Sequence, residues 1–349
     1  MKRFVKPWEY DSVSSIWANG PRKGRGRRIL PKERGYFVHV TSRTVGQAFL
    51  FGSEEKWVFI RKMRDWAEFS GLGVVTHCLM DNHFHMLLWV PRIENVGHRE
   101  ILRRLAEVWP AEKLGAWEKV YREVSVSKRK RMDGEMVARM GNLPEFMRVL
   151  KQSFAAWYNR THKRRGVLWD ARYRSVVVEE NPLALLSVAA YVDLNPVRAG
   201  LVEDPGAYAW SGFGAASGGG QWAQRGLGGL VELARGVEGA SEPKWEKTRS
   251  FYRVWLLATG SENGERERKR KGVEPAVAVA EFARWGQTPF GSALRRRRRS
   301  FTRGVAFGSE AFLRDLLVSY RGCFGPKRRR AARPIRGGWM GLHTLRQVE

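Results

Sequence analysis

The chain has 349 residues, with 63 Lys plus Arg against 35 Asp plus Glu, which gives a formal net charge of +28 at pH 7. A field this positive favours phosphate contacts through counterion release, so the composition indicates a nucleic-acid partner. The alternative is a basic membrane-surface protein, which neither a long apolar segment nor a strongly amphipathic basic helix supports.

In chain order, residues 1–34 come first and form a basic arm that we expect to be poorly ordered. An alternating run rich in β-formers predicts a first strand over 35–43. Apolar residues at helical spacing then predict a helix over 53–70. Residues 74–90 predict two strands joined by a turn at Asp81-Asn82.

The middle of the chain begins with residues 92–142, which are charged and helical in tendency and which we interpret as a surface insertion. Asn142 and Pro144 predict the start of a helix that runs to about residue 160. Extended segments are predicted at 167–169 and 173–178. A further helix is predicted from 181, and the Asn195-Pro196 step would end it, because a residue before proline disfavours α geometry.

From about residue 214 the composition changes. Gly218-Gly219-Gly220 predicts a flexible linker, and a short amphipathic helix is predicted over 309–320. Basic runs lie at 266–271, 295–299 and 327–330. We therefore divide the chain into the arm, a main domain (35–213) with its insertion, and a basic, mainly helical C-terminal region (214–349). This last region would add DNA binding, and the alternative is a solvated basic tail.

The two cysteines, Cys78 and Cys323, lie far apart and form no Cys-x-x-Cys unit. This argues against a zinc finger and favours a reducing compartment. Residues 1–10 lack the apolar core of a signal peptide. We expect a cytoplasmic, nucleoid-associated protein.

A pair of histidines, His83 and His85, opens the second of the two strands over 74–90. Alternate residues of a strand share a face, so both imidazoles point the same way while Phe84 points into the core. Two imidazoles on a rigid strand can hold one divalent ion. The alternative is an ordinary pair of surface or core histidines.

Tyr191 and Asn195 are four residues apart on the helix predicted from 181, so they share one face of it. A tyrosine hydroxyl becomes a useful nucleophile when it attacks a phosphodiester that a metal already polarises. His83, His85 and the amide oxygen of Asn195 would make a three-ligand site suited to Mn²⁺ or Mg²⁺, and the ligand types leave zinc open. The alternative for Tyr191 is a core tyrosine.

Four sequence blocks carry a resemblance to a known family. They are Tyr36-Phe37-Val38-His39-Val40-Thr41-Ser42-Arg43, Cys78-Leu79-Met80-Asp81-Asn82-His83-Phe84-His85, Gly166-Val167-Leu168-Trp169-Asp170-Ala171-Arg172-Tyr173 and Tyr191-Val192-Asp193-Leu194-Asn195-Pro196-Val197-Arg198-Ala199-Gly200-Leu201-Val202. Together, and in this order, they resemble the HUH single-tyrosine transposases, most of all the REP-associated branch. The resemblance covers about residues 35–213.

The resemblance implies an α+β fold, in which a compact antiparallel sheet with a ferredoxin-like palm is flanked by helices. It also implies a transposase, dependent on Mg²⁺ or Mn²⁺, that cuts single-stranded DNA beside a hairpin. Its tyrosine would become joined to the 5′ phosphate and leave a 3′ hydroxyl able to reverse the reaction on another strand. Monomer and homodimer both stay open.

By position, the resemblance makes His83 and His85 the metal ligands, Tyr191 the nucleophile and Asn195 the third ligand, where many relatives have glutamine. A second function class is a nucleic-acid-binding regulator that keeps the fold without the chemistry. The joint presence of these four residues favours the enzyme. A third class, a metal hydrolase that activates water, needs a general base, for which only Asp81 stands near the histidines in sequence.

Overall fold

The computed structural model describes residues 28–31, 33–236, 245–260 (backbone alone for 258–260), 301–302, 304–324, 332–334 and 341–346. Most of the predicted basic arm and the basic runs at 266–271, 295–299 and 327–330 lie outside the described residues.

A single sheet with helices around it makes up the described part of the chain. The strands are β1 (Tyr36–Arg43), β2 (Gly73–Leu79), β3 (His83–Val90), β4 (Arg174–Val178), β5 (Gly304–Ser309), β6 (Arg333–Pro334) and β7 (Leu342–Arg346). The helices are α1 (Ser53–Ser70), α2 (His98–Val108), α3 (Ala111–Glu123), α4 (Val126–Val137), α5 (Leu143–Thr161), α6 (Pro182–Asp193), α7 (Asn195–Arg198), α8 (Gly212–Ser217), α9 (Gln221–Arg235), α10 (Trp245–Gly260) and α11 (Glu310–Ser319). The predicted α+β class is confirmed.

The sheet has the strand order β2-β3-β1-β4-β5-β7-β6. Neighbouring strands run antiparallel, except for the parallel pair β4 and β5. In the pairing of β1 with β3, Thr41 lies opposite His85 and Arg43 lies opposite His83. The histidine strand is therefore held between two neighbours, β2 and β1.

One face of the sheet, here called the aromatic face, packs against α1 and α5. Alternate residues of β1 and β3 point to it, namely Val38, Val40, Phe84, Met86 and Leu88. Ring side chains fill the space between sheet and helices, with the Phe59 ring centroid 4.8 Å from that of Phe84 and 5.1 Å from that of Phe154. This face is a core of ordinary hydrocarbon packing.

The opposite face, here called the histidine face, carries His39, His85 and Leu87 and packs against α6. Asn181 begins α6 by accepting hydrogen bonds from the first free backbone N–H groups of the helix. The helix is apolar and buried over most of its length, because α9 and α10 cover the side that faces away from the sheet.

Most predicted elements are confirmed with their ends shifted by a residue or two. These are the strand over 35–43, the strand pair over 74–90, the strand near 173–178 and the helices that begin near 53, 142, 181 and 309. Residues 92–142 are helical as predicted and form α2, α3 and α4, of which α2 packs against α1. Residues 167–169 differ, because their only pairing is an isolated bridge between Thr44 and Trp169 among the described residues.

The end of α6 is confirmed to within a residue, but the position of Asn195 differs from the prediction. The helix stops at Asp193, and Asn195 opens the separate short helix α7 instead of closing α6. Pro196 is the physical reason, because it has no N–H to donate to the carbonyl of Val192 and so cannot continue the helix. Tyr191 and Asn195 are therefore not on one face of a single helix.

The region after residue 214 departs most from its prediction. Gly218, Gly219 and Gly220 form the tight turn between α8 and α9, where Gly219 has a φ of +91°. Beyond that turn, α9 and α10 pack into the same core as α6, and β5 pairs with β4. The core of the histidine face therefore includes residues after 213. The three glycines predicted a linker, but the apolar residues of α9 that follow them pack into the core and leave only a turn.

Candidate functional site

The predicted histidine pair lies where β3 begins. His83 and His85 occupy the first and third positions of the strand, so they share the histidine face. Their ring centroids are 5.1 Å apart. His85 is 4 % exposed, whereas His83 is half-buried. The pair therefore reaches from the interior towards the surface at one end of the strand.

A third histidine that sequence reasoning missed, His39 on β1, completes the cluster. Its Nε2 lies 3.0 Å from Nδ1 of His85, and its Nδ1 lies 2.7 Å from the carbonyl oxygen of Phe301. His39 is fully buried. Its place on the alternating pattern of β1 was visible in the sequence, but the pairing of β1 with β3 that brings it to His85 was not.

The hydrogen-bond partners fix which ring nitrogens carry protons. A carbonyl oxygen only accepts, so His39 donates from Nδ1 to Phe301 and, as a neutral ring, accepts at Nε2 from Nδ1 of His85. In the same way His83 donates from Nδ1 to Oδ1 of Asn82, which is 2.7 Å away. Both His83 and His85 therefore keep an unprotonated Nε2, the arrangement found in metal-ligating histidines.

All three rings are neutral at neutral pH. Burial lowers the pKa of His39 and that of His83 to about 4, and it holds the pKa of His85 well below its usual range. At His85 the neighbouring rings and then the positive charges of Arg43 and Arg198 lower the pKa further. Neutral imidazole is the form that binds a metal, so no proton has to be displaced.

Tyr191 projects from α6 onto this cluster. Its ring centroid lies 5.4 Å from that of His85 and 5.8 Å from that of His39, and it meets both rings edge to face. Phe301 packs on the same ring at 4.9 Å, and the guanidinium of Arg198 lies 5.3 Å from its centroid. Tyr191 is 7 % exposed. The structure thus brings the predicted nucleophile into contact with one of the predicted ligands.

Asn195, the predicted third ligand, makes its contacts within its own segment. Its Nδ2 donates to the carbonyl oxygens of Tyr191 and Val192, at 2.8 and 3.1 Å. This adds a donor to the last carbonyls of α6, which also accept from Arg198 and from the N–H of Leu194. Within the described residues, no hydrogen bond or ring contact joins Asn195 to His83 or His85.

The cluster offers two nitrogen ligands for a single metal ion. No group of three or more His, Cys, Asp or Glu side chains among the described residues is arranged to hold a metal. His39 is not a further ligand here, because both of its ring nitrogens are in hydrogen bonds. The Nε2 atoms of His83 and His85 fit a divalent ion that takes its remaining ligands from oxygen.

Two guanidiniums close to the cluster were not assigned a role from the sequence. Arg43 lies opposite His83 in the sheet, and Arg198 reaches over the ring of Tyr191. Both raise the positive potential at His85. Guanidinium groups bind phosphate oxygens through two parallel donors, so their positions suit a phosphodiester beside the histidines.

Asp81, which precedes the histidine pair, is held in an ion pair. Its Oδ1 lies 2.5 Å from Nζ of Lys56. Its carbonyl oxygen accepts from the N–H groups of Leu50 and Phe51, both at 2.9 Å. These contacts anchor the turn between β2 and β3.

A buried carboxylate, Asp193, ends the helix that carries Tyr191. It accepts from the hydroxyls of Thr76, at 2.8 and 2.9 Å, and of Tyr252, at 2.7 Å, and from the N–H of Phe213, at 3.0 Å. Burial raises its pKa to about 6, although these hydrogen bonds act in the opposite direction. The carboxylate ties α6 to β2, α8 and α10 and so fixes the position of the tyrosine.

Tyr158, a second tyrosine close to basic residues in sequence, lies elsewhere. It belongs to the core of the aromatic face, and its ring stacks on that of His162 with centroids 4.2 Å apart. The sheet therefore separates it from the histidine cluster.

A comparison with protein-family models gives no match for this chain, and no curated protein matches it. Among the described residues, none of the helices combines the length and the apolar character needed to cross a bilayer.

Proposed function

We propose that this protein is a single-strand DNA transposase that cleaves and rejoins DNA beside hairpins through a covalent 5′-phosphotyrosine. The observation that carries the proposal is the contact between Tyr191 and His85, with His83 as neighbour and an unprotonated Nε2 on both histidines. A tyrosine in contact with one of two neighbouring neutral imidazoles suits metal-assisted attack on a phosphodiester.

His83 and His85 would hold Mg²⁺ or Mn²⁺, and Asn195 stays a candidate for a third ligand through its Oδ1. When bound, the ion would polarise the phosphate and stabilise the charge that develops on it. His39 acts through another residue, because its hydrogen bond keeps Nδ1 of His85 protonated and turns Nε2 towards the ligand position.

In the reaction itself, Oη of Tyr191 forms a bond to the phosphorus, and the bond from phosphorus to the 3′ oxygen breaks. The phenol proton balances the proton that the departing 3′ oxygen gains. Arg43 and Arg198 would bind the phosphate oxygens during this exchange. The number of phosphoester bonds is unchanged, so the free 3′ hydroxyl of another strand can attack the phosphotyrosine and reverse the step.

The net charge of +28 supports a polyanionic substrate. Single strands and hairpins are favoured over a plain duplex, because unpaired bases can stack on exposed rings while the backbone meets basic side chains. Such binding should weaken steeply as salt is added. As a DNA-acting protein it would work in the cytoplasm, at the nucleoid.

A second candidate is a regulator that binds nucleic acid on the same fold without cutting it. The burial of Tyr191 beneath Phe301 favours this candidate, because the nucleophile is covered in this conformation. The hydrolase alternative is weaker, because the carboxylate of Asp81 is paired with Lys56.

The test is incubation of the full chain with single-stranded hairpin DNA from beside its own gene, with Mn²⁺ or Mg²⁺, followed by denaturing electrophoresis. We expect a covalent protein–DNA adduct that Tyr191→Phe and a chelator both abolish. Binding without cleavage would favour the regulator, and cleavage without an adduct would favour the hydrolase.

A further inference from the structure

An exposed aromatic ring, Phe49, lies in the segment between β1 and α1 (residues 44–52) and has no role in the chemistry above. It is 80 % exposed, whereas Phe51, two residues on, is 2 % exposed and packs against Phe154 at 5.5 Å and Trp169 at 5.8 Å. The segment therefore turns one phenylalanine into the core and the other into solvent. The core does not need Phe49.

Hydrogen bonds fix this segment to the turn before the histidine strand. Asn82 accepts from Nδ1 of His83 and donates from its Nδ2 to the carbonyl of Gln47, at 2.9 Å. The two backbone N–H groups that follow Phe49 both donate to the carbonyl of Asp81. A short series of bonds thus links the segment that carries Phe49 to His83, a predicted metal ligand.

Basic residues flank this segment, and the nearby carboxylate of Asp81 is paired with Lys56. Arg43 ends the strand that leads into it and bonds to the side chain of Gln47 at 3.1 Å. The N–H of Val45 donates to the carbonyl of Leu168, which ties the segment to residues 160–174. That stretch carries six Lys and Arg against a single carboxylate, Asp170. Positive charge next to an exposed ring is complementary to a single strand, which offers phosphates and unstacked bases together.

We propose that Phe49 is a stacking platform for an unpaired base of the DNA strand next to the scissile phosphate, with the adjacent basic residues holding the backbone. The inference rests on the proposed function, because it takes single-stranded DNA as the substrate. It adds a binding subsite that the metal and the nucleophile do not require. A duplex would not use the platform, since its bases are already stacked on one another.

The experiment measures the affinity of the full chain for a fluorescent oligothymidylate and for an abasic strand of equal length, by anisotropy and without added metal. Stacking of a base on an aromatic side chain accounts for roughly a tenfold change in affinity when the ring is removed. We expect Phe49→Ala to weaken oligothymidylate binding by about this factor and to leave the abasic strand unaffected. Phe49→Trp should restore the affinity, because the larger ring keeps the platform.

Trp57→Ala is the matched control, because Trp57 is also an exposed ring (58 %) but lies on α1. The proposal is overturned if Phe49→Ala binds oligothymidylate as wild type does, if it weakens both strands equally, or if Trp57→Ala costs as much. Failure of the wild-type chain to prefer oligothymidylate over the abasic strand would overturn it as well. None of these measurements depends on cleavage, so absence of the tyrosine adduct would refute the proposed function and leave this result standing.

Discussion

The two faces of the sheet bury different kinds of side chain. The aromatic face is filled mainly by hydrocarbon and rings such as Phe59 and Phe84, with His77 as a single buried imidazole among the described residues. The histidine face buries imidazoles and, at the end of the helix above it, the carboxylate of Asp193. Burying a polar group costs free energy unless it is hydrogen-bonded, and each of these groups on the histidine face has a partner. Both faces therefore bury a hydrophobic core, and the histidine face differs by adding polar groups that are joined by hydrogen bonds.

The largest effect should come from the ligand residues. His85→Ala, and His83→Ala likewise, should lower the rate of adduct formation by about 10³-fold or more, because a metal supplies several kcal/mol of charge stabilisation. Titration with Mn²⁺ should also show that both variants bind the metal more weakly than wild type does. An unchanged rate in both variants would contradict the metal assignment.

Phe84 is the matched control, because it lies between the two histidines in sequence but points to the aromatic face. Phe84→Ala should lower the free energy of unfolding by about 3–5 kcal/mol. The fraction of this variant that stays folded should still bind Mn²⁺. If this variant lost metal binding while still folded, the two faces would not be separable as described.

The next largest effect is expected from substitution of the buried carboxylate of Asp193. Asp193→Asn places an amide N–H₂ group among donors from Thr76, Tyr252 and the backbone, so donors would face each other. We expect chemical denaturation to show a loss of about 2–4 kcal/mol in stability. Wild-type stability in this variant would show that the carboxylate does not hold α6 in place.

His39 should have a smaller effect that depends on the replacement. His39→Ala removes both hydrogen bonds and should weaken Mn²⁺ binding by about 10–100-fold, as expected for a residue that orients a ligand. His39→Gln can donate to Phe301 and accept from His85, so it should recover much of the affinity. Nitrogen chemical shifts of the His85 ring would report its tautomer directly.

The control for His39 is His77, a buried histidine on β2 that pairs with Met86 and so faces away from the cluster. His77→Ala should leave the Mn²⁺ affinity as in wild type. Equal losses at the two histidines would mean that the effect of His39 is only structural.

The smallest effect should be at Asn195. Asn195→Ala loses the hydrogen bonds to the last carbonyls of α6 and should reduce stability by about 1 kcal/mol. Asn195→Asp loses the donor but keeps a ligand oxygen. If Asn195 is a third ligand, Asn195→Asp retains Mn²⁺ affinity and Asn195→Ala does not; equal affinity in both would limit its role to capping.

Local patterns were sufficient for much of the fold. Alternation predicted that His83 and His85 share a face, and the apolar spacing of 53–70 predicted α1. The relation between segments distant in sequence was not predictable in this way. His39 meets His85 across 46 positions, and Phe301 meets His39 across 262. Each contact depends on strand order and on C-terminal packing, which no local pattern encodes.

The position of Asn195 shows a second limit. A spacing of four residues predicts a shared helix face only if the helix continues. Pro196 has no N–H to donate to the carbonyl of Val192, so α6 ends before Asn195. The linker prediction at 218–220 was wrong for a similar reason, because these glycines were interpreted without the apolar helix that follows them.

The most direct test of the central claim is peptide mapping of the covalent adduct formed with hairpin DNA. We expect a single attachment site at Tyr191, which contacts His85, and no adduct in Tyr191→Phe although DNA binding persists. Tyr158→Phe should form the adduct as wild type does, because Tyr158 packs in the core of the aromatic face. Attachment at any other tyrosine would refute the assignment of Tyr191 as the nucleophile.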